Sequence, residues 1–201
     1  MSIDAREKLL EVAARVYAEA GYRGTTTRRI AQEAGLNEVT LFRHFGSKDA
    51  LLREAIELAD RESRPQLDAS AEDGIAELQR WALALFHRFY AHKNLIRQVL
   101  GDIVQRPEIA PRVCDDTSHE FDQLVAFLGE LERRGVLNAG DPAILEAGAA
   151  MLVHTLLSNA LWRDLVPDMP APEDCARLFV EVLLRALGAR SPAALPEGTR
   201  P

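Results

Sequence analysis

The chain has 201 residues, of which 47% are hydrophobic and 27% charged, and its formal net charge is −7 at pH 7. A chain of this length can bury a substantial core in one or two domains. The first 50 residues carry eight Lys or Arg and seven Asp or Glu, so the rest of the chain carries a charge of −8. An acidic body disfavours nonspecific wrapping of nucleic acid, and we expect any contact with DNA at one end of the chain.

The sequence contains no motif of an enzyme or of an exported protein. No apolar run reads as long enough to span a bilayer, and residues 1–5 do not begin a signal peptide. Cys114 and Cys175 lie far apart without CxxC spacing, which is typical of thiols in a reducing compartment. Glycine-rich phosphate loops, GxSxG and HExxH are absent from the sequence. We therefore expect a cytoplasmic protein with no catalytic residues, cofactor, metal or membrane partner.

Two minor features suggest other chemistry. His119, Glu120 and Asp122 have side chains that can bind metals, but a solvated helix face is the preferred interpretation. A redox-sensor role for Cys114 requires an exposed and activated thiolate.

Residues 4–20 have the apolar periodicity of an amphipathic helix. The apolar side chains recur at i, i+3, i+4, i+7, i+8 and i+11, namely Leu9, Val12, Ala13, Val16, Tyr17 and Ala20. Gly21 is expected to end this helix, because glycine reaches the backbone angles that a helix end requires. The apolar stripe is expected to pack on the next two helices and complete a three-helix head.

Residues 25–45 predict two short helices around a tight turn. Thr26 or Thr27 can cap the first helix and Asn37 the second, because their side-chain oxygens accept hydrogen bonds from unpaired N–H groups. Gly35 ends the first helix. Apolar residues form one inner side, namely Ile30, Ala31, Ala34, Leu36, Leu41 and Phe45. The second helix begins with small, polar and basic residues on its other side, which suits the major groove of DNA.

The charge around this pair of helices supports contact with DNA. Residues 23–48 hold five Lys or Arg and two acidic residues, a local charge of +3 in a chain that is acidic overall. A basic patch on an acidic chain is more informative than one on a basic chain. The alternative is an ordinary helical hairpin with a solvated charged face.

The same stretch resembles the N-terminal signature of the TetR family of bacterial transcriptional regulators. The matching positions are Thr26, Thr27, Ile30, Ala31, Ala34, Gly35, Leu36, Thr40, Leu41, His44, Phe45, Ser47, Lys48, Leu51 and Leu52. They lie in the first part of the chain, and beyond them the agreement is in length and all-helical layout. The resemblance implies an all-α fold with a helix-turn-helix DNA-binding domain at residues 1–48 and a C-terminal regulatory and dimerisation domain at residues 49–188.

The rest of the chain predicts further helices and no strands. They are a connecting helix at residues 47–63 and helices at about residues 74–93, 95–104, 112–134, 142–165 and 172–187. Residues 189–201 are rich in Pro, Ala and Gly with little to bury, and we expect them to form a disordered tail.

The resemblance implies a set of DNA-contacting residues in and after the helix-turn-helix. The positions are Thr27, Arg28, Glu38, Val39, Thr40, Phe42, Arg43, His44 and Lys48. Thr27, Thr40 and Lys48 suit phosphate oxygens, which set the register of the complex without reading sequence. Arg28 can hydrogen-bond to guanine, and Val39 can contact a thymine methyl group.

Two of these residues depart from the family's pattern. Glu38 stands where a neutral or basic residue is usual, and an acid beside phosphates lowers affinity unless it accepts a hydrogen bond from a cytosine amine. Phe42 replaces the commoner Tyr and lacks the hydroxyl that Tyr offers to a phosphate. Neither change breaks the motif.

Aromatic and polar residues of the C-terminal helices form a candidate effector pocket. They are Trp81, Leu85, Phe86, Phe89, Tyr90, Phe121, Val125, His154, Asn159 and Trp162. Aromatic walls with a few polar groups suit a drug-sized apolar ligand, and the resemblance implies an inducer cavity among these helices. A place in the ordinary core is the alternative for each residue, including His154.

The helix at residues 142–165 has two apolar stripes and therefore needs two partners. One stripe can cover the body, and the other, together with the last helix, can meet a symmetric copy in a four-helix bundle. The candidate interface residues are Met151, Thr155, Leu178, Phe179, Val182 and Leu183. The alternative is a monomer that buries both stripes internally.

These features together predict a homodimeric repressor that binds a palindromic operator in double-stranded DNA and is released by a small, largely apolar effector. The ligand is expected to favour a state in which the connecting helix tilts, which requires different affinities for the two states. One alternative is a DNA-binding protein of the same fold with no effector. Another is a helical carrier or enzyme with a vestigial head, an interpretation that Glu38 favours.

Overall fold

The computed structural model describes residues 4–61, 64–105 and 110–189, with residues 60 and 110–118 described for the backbone alone. All regular secondary structure in these ranges is α-helical. The helices are α1 (Ala5–Gly24), α2 (Thr27–Glu33), α3 (Glu38–Phe45), α4 (Lys48–Arg61), α5 (Gly74–Ala91), α6 (Lys93–Gln105), α7 (Ala110–Arg133), α8 (Pro142–Trp162) and α9 (Pro172–Ala186). The predicted all-α fold is confirmed. The predicted tail lies, apart from Ala189, outside the described residues.

Two helices begin at the capping residues that the sequence predicts. The Thr26 hydroxyl accepts a hydrogen bond from the Arg29 N–H at 3.1 Å, and the Asn37 side chain accepts one from the Val39 N–H at 2.9 Å. Asp141 caps α8 in the same way. These side chains satisfy N–H groups that have no partner inside the helix, so the helix starts are determined locally.

α1 is kinked at Gly21 and is longer than predicted. Gly21 has φ 64° and ψ −178°, a region that is essentially restricted to glycine. The helix then continues to Gly24. A Cβ atom on Gly21 would lie 2.6 Å from Oε1 of Gln98 in α6. The glycine therefore permits both the kink and the close approach of α6.

The described residues pack into two compact units, and the first contains those up to Arg64 and those between Arg88 and Thr117. α1 contacts α2, α3, α4 and α6 in this unit. The buried apolar side chains are Leu9, Leu10, Val12, Ala13, Val16, Tyr17, Ile30, Ala34, Leu41, Phe45, Leu51, Leu52, Ala55, Leu95 and Val99. The core of the three-helix head thus extends into α4 and α6.

The second unit contains Pro65–His87 and the described residues from Ser118 onward. Trp81 of α5 is completely buried, and its indole N–H donates a hydrogen bond to Oε1 of Gln123 in α7 at 3.0 Å. α9 packs on α8 at Gly148, where an added Cβ would lie 2.6 Å from a leucine side chain of α9. The absence of a side chain at this glycine therefore permits the two helices to pack closely.

Among the described residues, one helix, α8, is long and apolar enough to cross a membrane. Its most apolar stretch of 18 residues has a mean hydropathy of 1.4. The expectation that no run reaches this length is therefore wrong. The core helix of a soluble protein meets the same criteria. In this chain α8 packs on α9, and Leu152, Leu156 and Ala160 are buried.

Replacing Gly21 by Ala is expected to destabilise the first unit. The added methyl group strains a backbone with φ 64°, at a cost of about 1–3 kcal/mol, and it also meets the Gln98 side chain. Urea unfolding followed by circular dichroism measures the loss of unfolding free energy.

Gly46→Ala is the matched control, because Gly46 also has positive φ, 71°, but its added Cβ meets no described atom within 4 Å. We expect a smaller loss for Gly46→Ala than for Gly21→Ala. A loss for Gly21→Ala that does not exceed the loss for Gly46→Ala would contradict this expectation.

Candidate functional site

α2 and α3 form a helix-turn-helix that is held together by apolar side chains on the inner side of each helix. Ile30 of α2 and Leu41 of α3 are completely buried in a cluster with α1. The turn between the helices contains Gly35, at φ 65°, and a hydrogen bond from the Leu36 N–H to the Ala31 carbonyl at 2.9 Å. The angle between α2 and α3 is therefore set by burial and by the turn.

The outer side of α3 carries two exposed apolar side chains. Val39 is 72% exposed and Phe42 is 46% exposed. They lie one helical turn apart, and Arg43 lies one turn after Val39. Arg43 and His44 are also exposed, and Thr40 is half-buried. We refer to Val39, Phe42 and Arg43 as the recognition ridge.

The arginines of α2 and α3 differ in their partners. Arg29 donates hydrogen bonds to Glu33 and to Glu19, each at 2.7 Å. The hydrogen bond between Arg29 and Glu33 raises the pKa of the arginine and lowers the pKa of the carboxyl group. Arg28 and Arg43 are exposed and form no ion pair with any described residue. The positive charge available to a partner on these helices therefore comes from Arg28 and Arg43.

Glu38, which departs from the family's pattern, is bonded within the head. The Thr27 hydroxyl donates a hydrogen bond to Oε1 of Glu38 at 2.5 Å, which joins the first turn of α2 to the first turn of α3. The positive ends of helix dipoles favour an anion at such a position. A hydroxyl has one proton, so Thr27 does not donate to a phosphate while this bond is intact. The predicted DNA contacts of both residues stay predictions.

Lys48 also uses its charge within the head. Its Nζ donates hydrogen bonds to the carbonyl oxygens of Tyr22 at 2.7 Å and Thr25 at 2.9 Å, and lies 3.6 Å from the centre of the Tyr22 ring. Backbone acceptors at a helix end lack helical partners, and Lys48 supplies one. It thereby joins the start of α4 to the end of α1. Its predicted contact with a phosphate stays a prediction.

The predicted effector-pocket residues have different surroundings. Phe89 and Tyr90 belong to the first unit and the other eight residues to the second. In the second unit Trp81, Leu85, Phe86 and Asn159 are buried, Phe121 and Val125 are half-buried, and His154 and Trp162 are exposed. His154 and Trp162 therefore do not lie in the interior that the sequence predicts, because they project from an open side of α8. A cavity shared by the set stays a prediction.

Arg163 is a polar residue of the second unit that the sequence did not single out. Its guanidinium donates hydrogen bonds to the Pro170 carbonyl at 2.8 Å and to the Asn159 side-chain oxygen at 2.9 Å. Its Cζ lies 5.1 Å from the centre of the Phe86 ring. The Arg163 Nε is buried without a hydrogen-bond partner among the described atoms. The sequence feature that could have identified Arg163 is its position directly after an apolar helix, one turn after Asn159.

An open groove of about 520 Å³ lies along α8, α9 and the segment between them. Its lining residues are Ala150, Met151, His154, Thr155, Ser158, Asn159, Trp162, Met169 and Phe179. Of the predicted interface residues, Met151, Thr155, Leu178, Phe179 and Val182 are exposed or half-buried. Leu183 instead is buried within the chain, against Gly148. We call the exposed side of α8 and α9 the open face.

The described residues include no group of three His, Cys, Asp or Glu side chains placed to hold a metal ion. Glu120 is buried whereas His119 and Asp122 are exposed, so these residues do not share the solvated face that the sequence predicts. The side chain of Cys114 lies outside the described residues. Cys175 is a buried free thiol.

A helix-turn-helix with an exposed second helix and available arginines defines this chain as a protein of the helix-turn-helix DNA-binding class. The sequence profile of the bacterial regulatory proteins, tetR family, matches residues 9–55, which run from α1 into α4. The N-terminal part of the chain is thus similar to the DNA-binding part of the TetR family, and the resemblance seen in the sequence is confirmed.

Two similar proteins are named as transcriptional repressors. AcnR from Corynebacterium efficiens is 33% identical over 81 residues, which are 40% of this chain and 42% of AcnR. KstR2 from Mycobacterium tuberculosis is 35% identical over 111 residues, which are 53% of this chain and 54% of KstR2. The aligned stretches thus span about half or less of these relatives, both of which are regulators rather than enzymes by name.

The crystal structure of a TetR-family regulator from Mesorhizobium loti is similar along nearly the whole chain. It matches with a TM-score of 0.75, covering 92% of this chain and 97% of the other, at 21% identity. This similarity shows that the fold of the helical body is shared as well as the fold of the head.

A double-mutant cycle tests the bond between Thr27 and Glu38. Thr27→Val removes the donor and Glu38→Ala removes the acceptor, so the second substitution is expected to cost less once the first is present. We expect a coupling free energy of about 0.5–1.5 kcal/mol in urea unfolding.

The matched control combines Thr27→Val with Glu33→Ala, because Glu33 is bonded to Arg29 rather than to Thr27. These two losses of unfolding free energy are expected to add. Additive losses for the Thr27 and Glu38 pair as well would contradict the hydrogen bond.

Proposed function

We propose that this protein is a cytoplasmic transcriptional repressor that binds a palindromic operator as a homodimer and is released by a small, largely apolar effector. The observation that carries the proposal is the exposed outer side of α3, held by a buried inner side. The similarity to AcnR and KstR2 supports repression in particular.

DNA contact is proposed for the outer sides of α2 and α3. Arg28 and Arg43 are exposed and free of ion pairs with described residues, so their guanidinium groups can bind phosphates or guanine. Thr40 and His44 lie on α3 with Arg43 and can add hydrogen bonds to the backbone of DNA. This end of the chain is suited to a polyanion although the whole chain carries a charge of −7.

Dimerisation is proposed through the open face of α8 and α9. Met151 is 66% exposed and Val182 is 62% exposed, which is a large apolar area to leave in water. Two helices from each of two copies can bury this area as a four-helix bundle. Two-fold symmetry is also required if two recognition helices are to enter successive major grooves, which lie about 34–36 Å apart.

Effector binding is proposed for the aromatic region of the second unit. Trp81, Leu85 and Phe86 supply an apolar wall, and Arg163 and Asn159 place polar groups near Phe86. Such a combination of apolar walls with a few polar groups is what small-molecule sites use. The effector must bind the two states of the protein with different affinities in order to release DNA.

Selection of random duplexes on the purified protein is expected to enrich an inverted repeat. Arg28→Ala or Arg43→Ala should weaken binding to that repeat by about tenfold or more, because each removes a charged contact. Arg133→Ala is the matched control, since it removes an exposed arginine of the second unit that is paired with Glu130. Fluorescence anisotropy across a salt series measures affinity and the number of ionic contacts.

Failure to enrich any repeat with folded protein would contradict the proposed function. An equal loss for Arg133→Ala and Arg43→Ala would contradict the placement of the site on α2 and α3.

Met151→Glu and Val182→Glu are expected to convert the dimer into a monomer, because each places a charge in an apolar interface. Val104→Glu is the control, since Val104 is an exposed valine of α6 outside the open face. Sedimentation equilibrium measures the mass of each variant. A dimer that persists in both Met151→Glu and Val182→Glu would contradict the assigned interface.

A further inference from the structure

We infer that the effector carries a carboxylate, and that the guanidinium of Arg163 binds this carboxylate beside Phe86. The inference rests on the proposed function and names the chemical class of the effector. A guanidinium presents its N–H donors in a planar, rigid fork that matches the two oxygens of a carboxylate.

The hydrogen bonds of Arg163 go to neutral acceptors. Its guanidinium donates to the Pro170 carbonyl at 2.8 Å, to the Asn159 side-chain oxygen at 2.9 Å and to Sγ of Cys175 at 3.6 Å. No carboxylate among the described residues forms an ion pair with it, and its buried Nε has no hydrogen-bond partner there. A buried charge is costly unless it is paired. A partner with a negative charge and two acceptor oxygens therefore complements this group.

The surrounding contacts hold the guanidinium in one orientation. Its Cζ lies 5.1 Å from the centre of the buried Phe86 ring. Asn159 is also buried, and its amide nitrogen donates to Sγ of Cys175 at 3.7 Å, which leaves the amide oxygen for Arg163. A group that is held in place before binding loses little conformational entropy when a ligand arrives.

The position of Arg163 at the end of α8 offers a purely structural explanation. A cation there interacts favourably with the helix dipole. An arginine with this role alone is expected to bond to the last carbonyl groups of its helix. Arg163 bonds instead to Pro170, which lies in the segment before α9, and to a side chain of α8. The dipole therefore accounts for the charge at this position but not for the arrangement of the donors.

The apolar surroundings favour an organic acid over an inorganic anion. Trp81 and Leu85 are completely buried on the same helix as Phe86. Inorganic phosphate would gain the contact with Arg163 alone. A monocarboxylate with an apolar body would also gain contact with this wall, and such combinations of apolar surface with a few polar groups are typical of small-molecule sites.

The test compares two carboxylates with their uncharged amides, octanoate with octanamide and cinnamate with cinnamamide. Isothermal titration calorimetry on the full-length protein measures the dissociation constant of each compound. We expect at least one acid to bind about tenfold or more tightly than its amide, because hydrogen bonds between charged groups are the stronger ones. The inference is overturned if neither acid binds, or if neither acid binds more tightly than its amide.

Variants assign the carboxylate to Arg163. Arg163→Gln removes the charge, so the acid should bind no more tightly than the amide, and Arg163→Lys keeps the charge without the fork and should retain part of the preference. Arg177→Gln is the matched control, because Arg177 is an exposed arginine of α9 paired with Asp174 and Glu181, and the full preference should persist.

The ratio of the two affinities separates binding from a structural role. An Arg163 that only joins α8 to the next segment would lower the free energy of unfolding when replaced, without changing the preference for the acid. An unchanged preference in both Arg163 variants would therefore overturn the assignment.

Titration of the acid into the complex with the selected inverted repeat tests its role as an effector. Fluorescence anisotropy should show a lower affinity for the repeat in the wild-type protein and no such change in Arg163→Gln. An acid that binds at Arg163 without any effect on the repeat would overturn the effector role. A protein that selects no repeat contradicts the proposed function, whereas one that selects a repeat but does not prefer acids contradicts this inference alone.

Discussion

The burial of Ile30 and Leu41 in the cluster around α1 is the constraint on which the head depends. Both side chains are completely buried, and α3 has eight residues, which is too short for a helix to be stable alone in water. Tertiary packing therefore orients α3. Once Leu41 faces inward, the helical repeat directs Val39 and Arg43 outward, so the surface proposed to read DNA is a consequence of the core beneath it.

Several charged side chains of the head bond to other groups of the first unit. Arg29 pairs with Glu19 and Glu33, and the Lys48 ammonium binds carbonyls at the end of α1. The engaged groups of residues 23–48 are two cations and two acids, so Arg23, Arg28 and Arg43 account for the local charge of +3. Arg28 and Arg43 are the cations that α2 and α3 present to a partner, beside the exposed Val39 and Phe42.

The second unit combines a close internal contact with an open surface on one helix. Gly148 allows α9 to pack tightly on one side of α8, and Met151 on another side remains exposed. The sequence predicted two apolar stripes on this helix but did not say which was buried within the chain. Leu183 of α9 shows the same point. The sequence predicts it at the interface with a second copy, whereas the structure buries it against Gly148 of α8.

The sequence by itself determined the helical class, the helix-turn-helix and many of the helix ends, because these depend on periodicity and on caps within a few residues. Thr26 and Asn37 cap the helices that their positions predict. Only the tertiary structure decided which side chains remain available for function. The Glu38 carboxylate finds its partner 11 residues away and the Lys48 ammonium 23 and 26 residues away. Such contacts arise from how helices pack, and local pattern does not encode them.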